Sequence, residues 1–205
     1  MEPVAVIDFE TTGMSPMSGA RATEIAVVLL EGGRIRARYH SLMNAGVPVP
    51  PFIQALTGIS TTMLRKAPPV AEVMAAAADF IGDHPLVAHN AAFDRRFLDA
   101  ELERIGRARQ AEFACTLLAA RRIYPEAPNH KLGTLIQFTG LPAPASYHRA
   151  LTDAEMAAGL LAQMERDLQR RFGLTSVSHA RLRELQGAPR RGLDHWLQNQ
   201  PWATN

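Results

Sequence analysis

Four carboxylates and one histidine, spread over three short segments, are the residues whose types and spacing could do chemistry. Asp8 and Glu10 belong to Asp-Phe-Glu-Thr-Thr-Gly near the start, and Asp94 ends His-Asn-Ala-Ala-Phe-Asp in the middle. His148 opens His-Arg-Ala-Leu-Thr-Asp, which ends at Asp153. Carboxylate oxygens without a thiolate partner suit Mg²⁺ or Mn²⁺ better than structural zinc. If these segments meet, they could hold two divalent ions and cut a phosphodiester by in-line displacement.

His148 stands five positions before Asp153. On one continuous helix the two side chains would point well apart, so we expect His148 on the segment that leads into the helix. A histidine with an ordinary pKa of about 6.5 can accept a proton from an attacking water near neutral pH. The spacing therefore predicts that His148 is a general base. The other histidines stand singly, and His89 with Asn90 more readily holds a strand-to-helix turn together than binds metal.

Apolar and β-prone runs predict the strands that carry these segments, at residues 4–10, 24–30, 35–42 and 86–88. Glu-Gly-Gly-Arg at 31–34 favours a hairpin between the second and the third. In the first strand, side-chain alternation sends Asp8 and Glu10 to one face and Phe9 to the other. We expect the first three strands to form an antiparallel meander and the later ones to run parallel to the first.

Helical patterns follow at residues 61–66, 70–81, 93–105, 113–123, 131–138 and 151–171. Ser60 is the expected N-cap of the first of these helices, and Gly82 and Gly173 are expected to end the second and the last. Asp94 then falls in the first turn of the helix after the fourth strand. Asp153 falls near the start of the last long helix. The pattern predicts an α/β fold, a mixed sheet with helices packed against it.

Composition is compatible with a metal-dependent enzyme. The chain has 205 residues, of which 47% are hydrophobic, so it can build a sizeable core and is not a disordered segment. It has one cysteine and no apolar run of membrane-spanning length, which predicts a cytoplasmic protein without disulfides. The formal charge of +2 favours a polyanionic partner only weakly.

Residues 174–205 differ in character from residues 1–173, and we expect them to form a C-terminal helical appendage to the main domain. Two short helical patterns occur there, at 178–186 and from 189 onward. Apolar side chains of this segment could dock on the body of the domain or could bind another chain, namely Leu182, Leu185, Leu193, Trp196 and Leu197.

The three acidic segments resemble the Exo I, Exo II and Exo III motifs of the DEDDh exonucleases, the superfamily of the epsilon proofreading subunit of bacterial DNA polymerase III, RNase T and oligoribonuclease. Leu-Thr-Gly-Ile-Ser at 56–60 and His-Lys-Leu at 130–132 also match, so the resemblance covers roughly residues 4–165. It implies a ribonuclease-H-like mixed five-stranded sheet. It also implies 3′-to-5′ hydrolysis that releases nucleoside 5′-monophosphates.

By the same resemblance, two divalent metal ions, Mg²⁺ or Mn²⁺, would be held by Asp8, Glu10, Asp94 and Asp153, with His148 as the base. In the family, apolar residues at the positions of Met14 and Leu56 wedge against the terminal bases; an ordinary core or surface role is the alternative. Candidate substrate contacts are Thr11, Gly13, Met14, Leu56, His89, Asn90 and Phe93.

Three functions are open at this stage. The leading hypothesis is an exonuclease acting on single-stranded DNA 3′ ends, in proofreading or repair. An RNA-trimming exoribonuclease of the RNase T or oligoribonuclease type is the second. A module that binds nucleic-acid ends without cutting is the third, although such a module would not need four carboxylates and a histidine. The resemblance also makes a polymerase or a second copy of the chain a candidate partner.

Overall fold

A mixed five-stranded sheet forms the centre of the fold. The computed structural model describes residues 2–143, 148–174 and 177–200. The strands are β1 (Val4–Thr11), β2 (Ala22–Glu31), β3 (Arg34–Leu42), β4 (Leu86–Ala88) and β5 (Phe113–Cys115). They lie in the order β3-β2-β1-β4-β5. The first three are antiparallel, and β4 and β5 run parallel to β1, so the predicted topology is confirmed.

Helices surround this sheet. They are α1 (Pro51–Thr57), α2 (Thr61–Arg65), α3 (Val70–Ile81), α4 (Ala92–Arg104), α5 (Thr116–Ile123), α6 (Leu132–Phe138), α7 (Ala150–Phe172), α8 (His179–Gly187) and α9 (Leu193–Gln198). The Ser60 hydroxyl accepts a hydrogen bond from the Met63 amide and caps α2, as predicted. Gly82 and Gly173 follow α3 and α7 with positive φ angles, also as predicted. Within the described ranges, no helix has both the length and the apolarity to cross a membrane.

The two faces of the sheet bury separate cores. Val4 and Val6 of β1 join the cluster beneath α7, whereas Ala5, Ile7 and Phe9 join the cluster beneath α3 and α4. This alternation follows from the pleat of a strand. At the end of β1 the row of Val4 and Val6 continues with acidic side chains instead of apolar ones. The start of α7 lies on the same side, so strand alternation alone places these acids near Asp153.

Two sequence expectations need correction. Residues 113–123 were expected to form one helix, but Phe113–Cys115 is strand β5 and the helix begins only at Thr116. Pairing with β4 decides this, because Leu86 to Ala88 lie opposite Phe113 to Cys115 in a parallel ladder. The short helix α1 was not predicted. Pro50 and Pro51 precede and open it, and proline at the first helical position is pre-organised for a helix start.

The C-terminal helices pack on the body of the fold, which is the first of the two alternatives above. Leu182, Leu185, Leu193 and Leu197 are buried in the α7-side core, and Trp196 packs against it. The Gln186 side chain accepts a hydrogen bond from the Cys115 amide at 2.8 Å. Helix α8 therefore covers the edge strand β5. The division of the chain at residue 173 into domain and appendage stays a prediction.

Candidate active site

The acidic end of β1 forms the floor of the site. Asp8 and Glu10 are half-buried and lie two residues apart, on the face of the sheet that α7 covers. The ladder between β1 and β2 changes register between Glu10 and Thr11, so regular pairing ends just after the second acid. An irregularity at the end of a strand is a common way to aim side chains into a site.

Asp94 reaches the same floor from the first turn of α4, where it is buried. One of its carboxylate oxygens accepts a hydrogen bond from the Phe9 amide at 3.1 Å. The parallel ladder between β1 and β4 includes only Ala5 and Val6 of β1. Asp94 therefore supplies a hydrogen-bond partner for the Phe9 amide, which lies beyond the end of that ladder. This bond ties the start of α4 to the backbone of Phe9, the residue between Asp8 and Glu10 in the sequence.

Asp153 and His148 come from the start of α7. His148 lies outside the helix, as expected, with the left-handed φ of 61°. Asp153 lies in the first turn, and its amide donates to the Arg149 carbonyl at 3.0 Å. Glu10, His148 and Asp153 each offer a ligand atom, and these three atoms all lie within 4.8 Å of one another. This group could hold a metal ion.

Asp8 and Asp94 are not part of that trio, but both belong to its surroundings. Asp8 lines a cavity of about 460 Å³ together with His148 and Asp153. Residues of α6 and the segment before it form much of the remaining wall, namely Lys131, Leu132, Gly133, Thr134 and Gln137. The cavity therefore joins the acidic floor to a surface that is open to a substrate.

Burial and mutual repulsion raise the pKa values of the acids of the floor. Burial, and then the charges of Asp94, Asp153 and Glu10, raise the pKa of Asp8 well above its usual value. Burial, followed by the charges of Asp153 and Glu24, raises the pKa of Glu10 to about 8. Without a cation, neighbouring carboxylates repel each other, and desolvation destabilises the charged form of each one. Both effects raise the pKa.

The two helix-borne acids show the same trend. Burial raises the pKa of Asp94 to about 7, although the hydrogen bond from the Phe9 amide opposes the rise. Burial also raises the pKa of Asp153, and His148 opposes that rise. A divalent cation would reverse this preference, because it favours the charged carboxylates. The carboxylate oxygens of the four acids fit Mg²⁺ or Mn²⁺.

His89 lines the same cavity and also holds together the elements around it. Its ring nitrogens are 2.9 Å from the Thr116 hydroxyl and 3.0 Å from the His130 carbonyl. Burial lowers its pKa to about 4, so the ring is neutral near pH 7. It therefore connects the end of β4 to the start of α5 and to the loop before α6. Asn90, next to it, is exposed and has a φ of 67°.

The other predicted substrate contacts occupy different environments. Thr11 is buried, and its hydroxyl donates to the Gly13 carbonyl at 2.7 Å, which stabilises the turn after β1. Met14 and Leu56 are exposed, at 75% and 51%, so neither is a core residue. Phe93 is half-buried, and its ring centroid lies 4.9 Å from that of Phe97.

Glu24 and Arg149 beside the floor were missed by the sequence analysis. Glu24 lies directly opposite Glu10 in the β1–β2 ladder and is bonded to Arg149. The only sequence signal was an acidic residue within the apolar run of β2. Arg149 carried no signal, because it lies between His148 and the helix like any ordinary exposed arginine.

Comparison with known proteins places the chain in a protein family. Residues 5–161 match the family model RNase_T, described as Exonuclease. The chain is 37% identical over 168 residues to the PolC-type DNA polymerase III of Bacillus cereus, and equally so to that of Bacillus subtilis. These matches cover 82% and 81% of the chain. The matched region is only 12% of the length of each polymerase.

Solved structures give the same result. Exonuclease X in complex with 5′ overhanging duplex DNA is similar with a TM-score of 0.71 and 26% identity, over 90% of this chain and 99% of that one. Escherichia coli Exonuclease I in complex with a dT13 oligonucleotide has a TM-score of 0.72 at 15% identity, over 84% of this chain and 43% of that one. The nuclease domain of 3′hExo, a DEDDh family member bound to rAMP, has a TM-score of 0.69 at 18% identity, over 81% and 92%. The last two likenesses concern the fold alone.

The matched region includes the whole five-stranded sheet, the acidic end of β1, and the starts of α4 and α7. The expected ribonuclease-H-like fold is therefore confirmed, and the chain belongs to the exonuclease family that the RNase_T model describes.

Proposed function

We propose that this protein is a metal-dependent 3′-to-5′ exonuclease that acts on single-stranded DNA ends and releases nucleoside 5′-monophosphates. The convergence of Glu10, His148 and Asp153 within 4.8 Å, beside Asp8 in an open cavity, is the observation that carries this proposal. Two segments far apart in the chain supply these groups, and a third brings Asp94 to the Phe9 amide beside them. A structural role for four mutually repelling acids, one buried and three half-buried, is hard to justify energetically.

The residues divide the work of hydrolysis between them. Asp8, Glu10, Asp94 and Asp153 would hold two divalent ions. Bound ions would supply charge for the non-bridging and leaving oxygens of the phosphodiester and would acidify the attacking water. His148, exposed at the mouth of the cavity, would accept the proton from that water.

The substrate would approach over the exposed apolar side chains. Met14 and Leu56 are exposed to solvent. Phe93, which directly precedes Asp94 in the sequence, is half-buried. Flat or apolar side chains that contact bases tolerate any nucleotide sequence, which suits an enzyme that shortens ends. The turn at Thr11 and Gly13 and the exposed Asn90 would complete the contacts to the terminal nucleotide.

DNA is the favoured substrate because several of the similar proteins are DNA polymerases or were solved with DNA. PolC-type polymerases contain the matching region, and Exonucleases I and X were solved with DNA. RNA is the second candidate, because the structurally similar 3′hExo was solved with rAMP. A role in replication proofreading or repair, a polymerase or a second copy as partner, and a cytoplasmic location stay predictions.

The experiment is a shortening assay with single-stranded DNA and RNA of the same sequence, labelled at the 5′ end. Digestion from the 3′ end gives a ladder of progressively shorter labelled products with Mg²⁺ or Mn²⁺, and none with EDTA. Immediate release of a labelled mononucleotide would indicate the opposite direction. The ratio of DNA to RNA rates assigns the substrate. Absence of metal-dependent shortening of either strand, with binding retained, would favour the non-catalytic module.

A further inference from the structure

Glu24 is a buried acid beside the active site that the mechanism above does not use. Its residue exposure is 1%, and it lies on the face of β2 that α7 covers. Directly opposite, on β1, is Glu10. Two like charges at opposite positions of an antiparallel pair destabilise the sheet, so Glu24 needs a compensating partner.

Arg149 is that partner, and it is 125 positions away in the chain. Its Nη2 donates to one carboxylate oxygen of Glu24 at 2.7 Å, and its Nε donates to the other at 3.1 Å. The amide of Ala150, the first residue of α7, donates to the same carboxylate at 3.0 Å. Glu24 thus accepts three hydrogen bonds from two consecutive residues.

Through its bond to the Ala150 amide, Glu24 of strand β2 caps the N-terminus of helix α7. The first amides of a helix have no partner within the helix, and an N-cap side chain usually satisfies one of them. Arg149 occupies the N-cap position of α7 but makes no side-chain cap bond. Glu24 takes over this task, and its negative charge also suits the positive end of the helix dipole.

The capped segment is the one that carries two groups of the site. His148 immediately precedes Arg149 and has a left-handed backbone, with φ of 61°. Such a conformation is costly for a residue other than glycine and persists when its surroundings fix it. Asp153 depends on the same segment, because its amide donates to the Arg149 carbonyl.

We propose that Glu24 and Arg149 are positioning residues of the active site, which hold His148 and Asp153 in place against Glu10. This inference rests on the proposed function and extends it. Neither residue needs to touch the substrate or the metal. Glu24 fixes the Ala150 amide and the Arg149 side chain at the helix start. Arg149 in turn balances the additional negative charge that Glu24 places next to Glu10.

The chain contains a matched control for this arrangement. Glu101 of α4 is also 1% exposed and also accepts hydrogen bonds from both Nε and Nη2 of an arginine, Arg21, at 2.8 and 2.9 Å. It also accepts one from the next backbone amide, that of Ala22, at 3.3 Å. These contacts are of the same kind as those of Glu24, although Glu101 also forms an ion pair with Arg104 at 3.6 Å. The Glu101 group anchors the start of β2 and does not cap α7.

The experiment compares Glu24→Gln and Glu101→Gln in the full chain. Both variants should lower the melting temperature, because each loses a charged acceptor in a buried pair. Only Glu24→Gln should weaken Mn²⁺ binding, measured by calorimetry, and kcat, each by roughly 10–100-fold, the usual loss when a residue that supports metal ligands is changed. Glu101→Gln should keep both quantities within about twofold of the wild type.

Arg149→Lys provides a second test that does not disturb a buried residue. Lysine keeps the positive charge but cannot form the bidentate hydrogen bond to Glu24. The Mn²⁺ affinity of this variant should therefore lie between those of the wild type and Glu24→Gln. Wild-type Mn²⁺ affinity and kcat in both Glu24→Gln and Arg149→Lys, below their melting temperatures, would overturn the inference. A wild type that binds Mn²⁺ but shortens no oligonucleotide would refute the proposed function alone, since Mn²⁺ affinity still tests the pair. A wild type that binds no Mn²⁺ would overturn both.

Discussion

The Asp94 carboxylate accepts a hydrogen bond from the Phe9 amide, which lies beyond the β1–β4 ladder. One acid of the site thus also provides a partner for a backbone amide of the sheet. One carboxylate oxygen therefore has a structural role, in addition to the metal-ligand role that we propose for this residue. Substitutions that keep or remove the acceptor separate the two roles.

We expect Asp94→Asn and Asp94→Ala both to abolish nucleotide release, because both remove a charged ligand. They should differ in stability. Asparagine can still accept from Phe9, whereas alanine leaves a buried amide unpaired, at a cost of about 1–3 kcal/mol. Thermal unfolding in EDTA measures this difference. Substantial activity in Asp94→Asn would show that the charge at this position is dispensable.

His148→Ala should slow turnover by ~10²–10⁴ if the side chain is the general base. Because His148 lies within 4.8 Å of ligand atoms of Glu10 and Asp153, a role as metal ligand gives a different result. A base can be removed with little change in Mn²⁺ affinity, whereas removal of a ligand weakens it. Measuring Mn²⁺ affinity by calorimetry, together with single-turnover rates, distinguishes the two roles. Undiminished turnover would remove His148 from the mechanism.

Stability of the metal-free protein should fall as the pH rises. In the folded protein the pKa values of Glu10 and Asp94 are raised to about 8 and about 7. In the unfolded chain both are about 4, so the folded state binds more protons between these limits. The stability that these groups contribute is complete below about pH 4 and is lost as the pH passes 7 to 8.

The measurement is the melting temperature in EDTA from pH 5 to 8, compared with that of the double variant Glu10→Gln, Asp94→Asn. The wild type should lose stability relative to this variant as the pH rises. Saturating Mn²⁺ should abolish the loss, since the cation favours the charged acids. A constant difference between the two proteins across this range in EDTA would contradict the raised pKa values.

Substitution of Met14 or Leu56 by alanine should raise KM for oligonucleotides and leave the fold unchanged. Both side chains are exposed, so their loss should change stability by less than about 0.5 kcal/mol. Base contacts of this kind contribute about 1–3 kcal/mol, which corresponds to a change in KM of roughly 5- to 150-fold. Met17→Ala is the control, because Met17 is 97% exposed. An equal effect of all three substitutions would argue against a specific contact.

Leu185→Ala should lower the free energy of unfolding by about 2–5 kcal/mol, because it opens a cavity where α8 meets the core. Arg183→Ala, on the exposed side of the same helix, should change it by less than about 0.5 kcal/mol. Denaturant unfolding measures both. Equal stability of the two variants would mean that α8 contributes little to the fold.

Local rules were enough to predict where the acids lie. Strand alternation puts Asp8 and Glu10 on one face, and the first turns of two helices carry Asp94 and Asp153. The antiparallel meander followed from the hairpin at 31–34 and the order of the apolar runs. These features depend on neighbours in the sequence, so the sequence alone predicts them.

Features that depend on distant partners were not predicted. Phe113–Cys115 continues a helical pattern, and only the ladder with β4 makes it a strand. Glu24 was visible as a lone acid in an apolar run, but its partner Arg149 lies 125 positions away. No local pattern connects two such residues.

The contact between Gln186 and the Cys115 amide has a consequence for assembly. It occupies a strand amide on the β5 side of the sheet, where α8 lies alongside. On the opposite side β3 is the last strand of the sheet, paired only with β2 among the described residues. A strand of another chain could therefore pair along the outer edge of β3. The side chains of Arg36 and Arg38 would not face that strand, because they leave the plane of the sheet and pair with Glu31 and Glu155.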